Sequence, residues 1–390
     1  MNTIANMLKE TGKLLGKINP GLRRAVVPWI IRHPRYINAF GKMLRSFREC
    51  EAARKNYAEN GTVVPPVMIL SITSNCNLRC PGCLAAAAGN IKQSHAAKEP
   101  DLTHDQWRSI ILQGNRLGVF CYIIAGGEPF MYSRLIDLIE EFDDRLFVVF
   151  TNGTAVKEAD HTRLKRLANA VIVFSVEGSE RVTDDRRGRQ VFERVMKAMN
   201  RMNDQGILTG VSVNVNRANV HEWMAPDFLD SIIQMGVRLV FHIEHIPTHP
   251  SLSKVETPLN ESILTPEERA AFRAKVLEYK QTKPVFLLHS PGDEEHLGGC
   301  VSAGRGFAHV TPSGDVTPCP VSNVATHNLT NAPLEDAFKS PLFSEIRENE
   351  RLLETEGMPC ALFAHPKEVD ELAQKVGAYR VGERTGLKSS

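Results

Sequence analysis

The chain has 390 residues, too many for one small core and enough for two or three structural units. Apolar residues make up 42% and charged residues 24%, which excludes a largely disordered or collagen-like protein. The net charge is +2, yet residues 1–60 hold twelve Lys/Arg against four Asp/Glu, a local +8 that leaves −6 for the rest.

Taken in chain order, residues 1–60 read as helices. Ile4, Leu8, Leu15 and Ile18 follow helical spacing, with Lys9, Lys13 and Lys17 on another face. Ile37, Phe40, Leu44 and Phe47 form a second stripe, with Arg35, Lys42, Arg45 and Arg48 mostly off it. Such a basic amphipathic arm (residues 1–62) is either a cap packed on the body or a contact for an anionic membrane surface. Nucleic acid is disfavoured, because the body is acidic and no aromatic-plus-basic groove is legible. The longest apolar run, residues 25–31, is broken by Pro28, far short of the roughly 20 residues of a spanning helix. The N-terminus also lacks the apolar stretch of a secretory signal. A cytoplasmic protein, peripheral to the membrane if the arm binds it, is the expectation.

From residue 67 short apolar runs alternate with amphipathic ones. Strands are predicted at 67–72, 120–125, 146–150, 170–175, 208–215 and 238–243. Helices are predicted at 103–117, 133–144, 159–168, 191–205 and 225–235. Parallel strands joined by crossover helices make an α/β fold. Six βα repeats suffice for a curved, partly closed (β/α)6 barrel over residues 63–290, with chemistry at the C-terminal strand ends. A helix at 266–281 and a strand at 284–289 follow. Residues 291–390 read as a small α+β region, with a hairpin at 310–316 turning on Gly314-Asp315 and a polar, frayed end from about Gly382.

The cysteines carry the chemistry. Cys76, Cys80 and Cys83 form C-x3-C-x2-C directly after the first predicted strand. Three cysteines in eight residues suit a metal in a reducing compartment better than disulfides. A structural zinc wants four ligands. Three thiolates leave one corner of a four-iron cluster open, where a cofactor or substrate can bind. Cys50 and Cys121 read as packing residues.

This stretch resembles the cluster loop of radical S-adenosylmethionine (radical SAM) enzymes, and further motifs recur in order. Gly126-Gly127-Glu128-Pro129 ends the second strand like the family's GGEP. Thr151-Asn152-Gly153 ends the third. Ser175-Val176-Glu177-Gly178 ends the fourth, Arg186-Arg187-Gly188 follows, and Asn214 ends the fifth. The resemblance spans about residues 67–245. It implies a [4Fe–4S] cluster on Cys76, Cys80 and Cys83. It implies S-adenosylmethionine held by Gly126, Gly127, Glu128, Asn152, Ser175, Glu177, Arg187 and Asn214. Gly126 and Gly127 would let carbonyls approach the methionyl ammonium, Ser175 would bond the ribose or carboxylate, Glu177 would accept ribose hydroxyls, and Arg187 would pair with the carboxylate. Gly82 and Leu84 stand where the family often has aromatic residues.

Cys300, Cys319 and Cys360 flank the hairpin, and this region resembles the SPASM or shorter twitch extension of the same family. That resemblance implies a second iron–sulfur cluster over about residues 295–365, with His327 and His365 as candidates for further ligation; zinc or plain packing are the alternatives. His242 and Glu244 share one face at the end of the sixth strand, where one could bind substrate or move a proton, and His245 faces the other side. The implied activity is reductive cleavage of S-adenosylmethionine to a 5′-deoxyadenosyl radical, followed by hydrogen abstraction from an unactivated carbon of a peptide, protein or lipid. The electron donor would be a flavodoxin or ferredoxin. A non-catalytic iron–sulfur electron-transfer or assembly protein is the alternative.

Overall fold

Strands that are apolar on both faces demand a sheet covered on both sides. In the computed structural model, which describes residues 20–92, 99–247 and 262–382, that sheet is built from β1 (Val67–Thr73), β2 (Cys121–Gly126), β3 (Leu146–Thr151), β4 (Ala170–Ser175), β5 (Thr209–Val215) and β6 (Leu239–Glu244). They lie side by side in chain order and pair in parallel. The stripes on Lys9, Lys13 and Lys17 and on Ile4, Leu8, Leu15 and Ile18 lie outside the described residues, as does the tail from 383.

The outward face packs under the crossover helices. Met68, Leu70, Ile72, Tyr122, Phe147 and Phe174 join Trp107, Ile110 and Ile111 of α3 (His104–Leu117) and Met199 and Met202 of α7 (Val191–Asp204) in one core. Local signals fix the helix ends. Thr103 accepts from the Gln106 N–H and Gln106 returns the bond, while Gly118 closes α3 at φ 103°. Thr265 and Glu268 do the same for α9 (Pro266–Thr282), which opens with its proline. Two further helices, α4 (Leu135–Glu141) and α5 (Glu158–Leu164), are shorter than their apolar spacing predicts.

The inward face is apolar too: Val148, Val171, Val173, Leu239 and Phe241 cluster with Ile123, Phe150, Ile243 and Leu288. Phe150 on β3 and Phe241 on β6 have ring centroids 5.2 Å apart. In a flat sheet three strand spacings would separate them by about 14 Å, so the sheet curls into the expected partial barrel.

Pairing runs past six strands at both edges. The strand predicted at 284–289 is β7 (Phe286–Ser290), parallel to β6. The hairpin is β8 (Phe307–Val310) and β9 (Asp315–Thr317), and β8 lies parallel against β1. The expected boundary near 290 is therefore crossed by backbone pairing, and the C-terminal region continues the sheet. His309 on β8 locks this seam, its ring bonded to Ser71 Oγ at 2.8 Å and Thr317 Oγ1 at 2.7 Å.

The described part of the arm is α1 (Pro20–Arg32) and α2 (Arg35–Glu59). Trp29, Ile30 and Tyr36 pack with Ala168 and Leu208, just ahead of β4 and β5. Phe47 meets Phe120 edge-on just ahead of β2. The arm therefore caps the barrel at its N-terminal end. Among the described residues no helix is long and apolar enough to cross a membrane.

Candidate active site

Where β1 ends, the cysteine loop is stitched down before it reaches its first thiol. Asp101 accepts from Thr73 Oγ1 (2.9 Å), the Ser74 N–H (3.0 Å) and Ser74 Oγ (2.5 Å). The end of β2 then crosses directly over the loop: the Gly127 N–H donates to Thr73 O and the Glu128 N–H to Asn75 O, each at 2.8 Å. Gly126 sits at φ 118°, and a Cβ there would lie 2.7 Å from Thr73 O; one on Gly127 would overlap the Asn75 carbonyl. The demand for glycine at both positions thus comes first from this chain crossing.

Glu128 is 1% exposed. Its carboxylate accepts from Thr151 Oγ1 (2.6 Å) and from the Asn152 and Phe130 N–H groups (2.7 and 3.1 Å). It joins the ends of β2 and β3. The Asn152 side chain donates to Asn77 Oδ1 at 2.9 Å, and Asn77 reaches Thr154 Oγ1 at 2.7 Å. Asn152 is thereby a tether for the cysteine loop.

Glu177, expected to accept ribose hydroxyls, is fully buried instead. Its Oε1 takes Arg186 and, at 2.8 Å, Arg187 Nε; its Oε2 accepts the Asn214 N–H at 3.2 Å. Burial raises its pKa, but the two guanidiniums outweigh that and hold the carboxyl below its ordinary range. Both arginines end α6 (Glu180–Arg187), and Arg186 also reaches Gly82 O at 3.4 Å, inside the cysteine loop. Ser175 faces Ser212 at 3.5 Å.

His245, read as facing away, is the histidine of this site. Its Nδ1 donates to Asn214 Oδ1 at 2.8 Å, and its Cε1 lies 3.0 Å from where a Cβ on Gly82 would stand. Burial, then Arg186, lowers its pKa to about 4. His242 and Glu244 turn outward into the helix layer. His242 is wedged between Trp223 and Phe272, and Glu244 pairs with Arg269 (2.6 Å) and His289 (3.0 Å). The alternation of β6 decides this: even positions face the helices.

Cys76, Cys80 and Cys83 open into one cavity of about 230 Å³, together with Gly126, Gly127, Asn152, Ser175, Arg187 and Asn214. Burial pushes the Cys76 thiol up to about 11, against the Leu78 N–H and helped by Glu128. Burial also raises Cys80, against Arg187 and Arg186. Among the described residues no three His, Cys, Asp or Glu side chains are set to hold a single metal ion. Three thiols around one cavity, with Glu128 and Glu177 already committed, suit a wider iron–sulfur cluster with one corner open.

The other trio lies under the C-terminal helices. Cys300 and Cys319 are buried, Cys360 precedes a one-turn helix, and Cys319 feels both Cys360 and Cys300 as charges that raise its pKa after burial itself. His327 is half-buried beside Thr326, and His365 lies between Glu356 (3.7 Å) and Glu368 (3.9 Å). Cys50, on α2 of the arm, is buried against Val119, and Cys121 packs against the apolar inner face. Sequence reasoning missed Asn77, Asp101 and the placing of His245, whose side-chain partners lie 27 or more residues away in the chain.

The Radical SAM superfamily model matches residues 70–232, and the iron–sulfur cluster-binding domain model, SPASM, matches residues 300–361. The chain is 25% identical over 272 residues to a PqqA peptide cyclase of Bradyrhizobium diazoefficiens, covering 66% of this chain and 67% of the relative. It is 22% identical over 323 residues to an AdoMet-dependent heme synthase of Nitratidesulfovibrio vulgaris, covering 75% and 84%. Streptococcus suis SuiB bound to the precursor peptide SuiA superposes with a TM-score of 0.59 at 17% identity, over 81% of this chain and 74% of that one; this likeness is one of fold. A [4Fe–4S] cluster and S-adenosylmethionine are the cofactors of such a barrel, and the SPASM region brings further iron–sulfur ligation. With both domain models in their expected order on this fold, the chain belongs to the radical SAM superfamily, as an enzyme with a SPASM region.

Proposed function

We propose that Cys76, Cys80 and Cys83 ligate the catalytic [4Fe–4S] cluster and that the enzyme modifies a peptide. The observation that carries the cluster assignment is the convergence of three thiols on a single cavity rimmed by the ends of β2 to β5. Bound together, cluster and S-adenosylmethionine supply one-electron chemistry able to break an unactivated C–H bond. The chain's own residues seat and orient. Arg187, fixed by Glu177, offers its remaining N–H groups to a carboxylate. Asn214, its oxygen taken by His245, keeps its NH₂ for the cavity, and Ser175 offers a hydroxyl. Gly126 and Gly127 lay bare backbone against the loop. Glu128, Asn152 and Glu177 act as positioning residues. Electrons would come from a flavodoxin or ferredoxin.

The peptide reading is supported by the PqqA peptide cyclase and by the SuiA-bound SuiB. The described arm spends its apolar face on the barrel, so a lipid substrate loses its main sequence argument. The test is to incubate the reduced, cluster-loaded protein with S-adenosylmethionine and short peptides encoded beside its gene, with iron porphyrins and anionic lipids as parallel arms. A mass change in a peptide, absent from the C76A/C80A/C83A variant, is expected. Modification of a porphyrin or lipid with every peptide untouched would overturn the peptide assignment.

A further inference from the structure

Three thiolates at the C-terminal site leave one corner of a four-iron cluster without a protein ligand. We propose that the Glu294 carboxylate fills it, ligating iron beside Cys300, Cys319 and Cys360. This rests on reading those three cysteines as cluster ligands.

Glu294 opens a 3-10 turn, Glu294–Leu297, that leads through Gly298 and Gly299 into Cys300. Backbone bonds hold the turn: the Glu294 N–H donates to Pro291 O at 2.9 Å and the Gly299 N–H to Glu294 O at 3.1 Å. Ser290 Oγ donates to Glu294 Oε1 at 2.6 Å, and the carboxylate also meets the Cys300 thiol and the Val301 amide. Its charge is felt at Cys300 and at Cys360, so it lies beside two of the three thiols.

Its acidic neighbours behave differently. Asp293 pairs with Lys280 and Glu295 with Arg273. Glu294 turns inward instead, and no basic group is among its partners. Arg305 turns to the Cys300 carbonyl at 2.6 Å and not to Glu294, so this half-buried carboxylate beside the Cys300 and Cys360 thiols has no cation paired with it, a costly arrangement; iron would supply the missing positive charge. Of the two histidines, His365 is buried with Nε2 free of any hydrogen bond, 3.7 Å from Glu356, and its Nδ1 is 3.9 Å from Glu368, while His327 stands beside Thr326; unlike Glu294, neither is among the groups that act on the three thiols. A hard oxygen donor on one iron would make that iron distinct from the three on sulfur.

The experiment uses the full chain carrying C76A/C80A/C83A, so that only the C-terminal cluster is read. Anaerobic reconstitution should give about four irons per chain. Adding Glu294→Ala should lower this to about three, or leave four with one Mössbauer iron site altered and the reduction potential raised, since a negative charge has gone. Glu294→Cys should restore full iron. Glu294→Gln, closer in shape, is read in the same way should the alanine variant fold poorly by circular dichroism. Unchanged iron, Mössbauer spectrum and potential in the Glu294 variants, or their expected losses appearing in His365→Ala instead, would overturn the assignment. No iron at all in the C76A/C80A/C83A background would sink the underlying reading of the three cysteines, a distinct failure.

Discussion

Two glycines show how a site can need a residue for a reason other than the one its motif suggests. Gly126 and Gly127 were expected to bare carbonyls to a cofactor, yet the closest constraint on both is the cysteine loop passing over them. Gly127→Ala would push its Cβ into the Asn75 carbonyl, one residue before Cys76. The loop must then move, and thiolate geometry with it. We expect iron at the catalytic cluster to fall at least twofold after reconstitution, measured with the C-terminal cysteines replaced, while far-UV circular dichroism stays unchanged. Normal iron would mean that the crossing is soft. The cysteine spacing was legible because it is local: three ligands in eight residues. Glu177 was misread because its partners, Arg186 and Arg187, lie a helix away, and Asp101 and His245 carry no local pattern at all. Burial of an acid follows from what packs above it, which one strand end does not state.

At the scale of elements, alternation of apolar runs made six strands and their helices readable, and β6 was misassigned by facing alone. The parallel seam between β1 and β8 was not readable, because the first paired positions, Val67 and Phe307, lie 240 positions apart with no shared pattern. His309 gives that seam a pH dependence. Burial lowers its pKa to about 3, with Asp315 acting weakly the other way, and its two ring nitrogens serve Ser71 and Thr317. A group whose folded pKa lies below its ordinary 6.5 contributes stability that is whole above that value. It is lost as pH falls toward the folded pKa, at roughly 1 kcal/mol per pH unit. His242, also depressed by burial, adds in the same direction. Urea denaturation at pH 7 and pH 5 should therefore show a drop in stability, and His309→Gln should shallow that slope while lowering stability at pH 7. An unchanged slope in the variant would mean the seam does not bind a proton on opening.

For the whole molecule, the +8 of residues 1–60 against −6 elsewhere invites a membrane, and the structure offers a more economical account. Helices of a parallel barrel all end toward the same rim, where unpaired carbonyls and the negative ends of the helix dipoles collect. The described part of the arm, α1 and α2, lies on that rim. Arg54 donates to Gly118 O at the end of α3, at 2.6 Å. Arg35 donates to Gln205 O and Gly206 O at the end of α7. Arg24 donates to Lys280 O in the last turn of α9, at 2.8 Å. Three cations thus cap three helix ends, each interaction worth roughly 0.3–1 kcal/mol and weakened by salt. Replacing Arg24, Arg35 and Arg54 with Ala should lower stability by about 1–3 kcal/mol at low salt, less at high salt, read by urea denaturation. Binding to vesicles of anionic phospholipid should change little in that variant, since those side chains already face carbonyls of the barrel. Were the variant as stable as the parent but unable to bind such vesicles, the arm's charge would belong to a membrane surface and not to the helix ends beneath it.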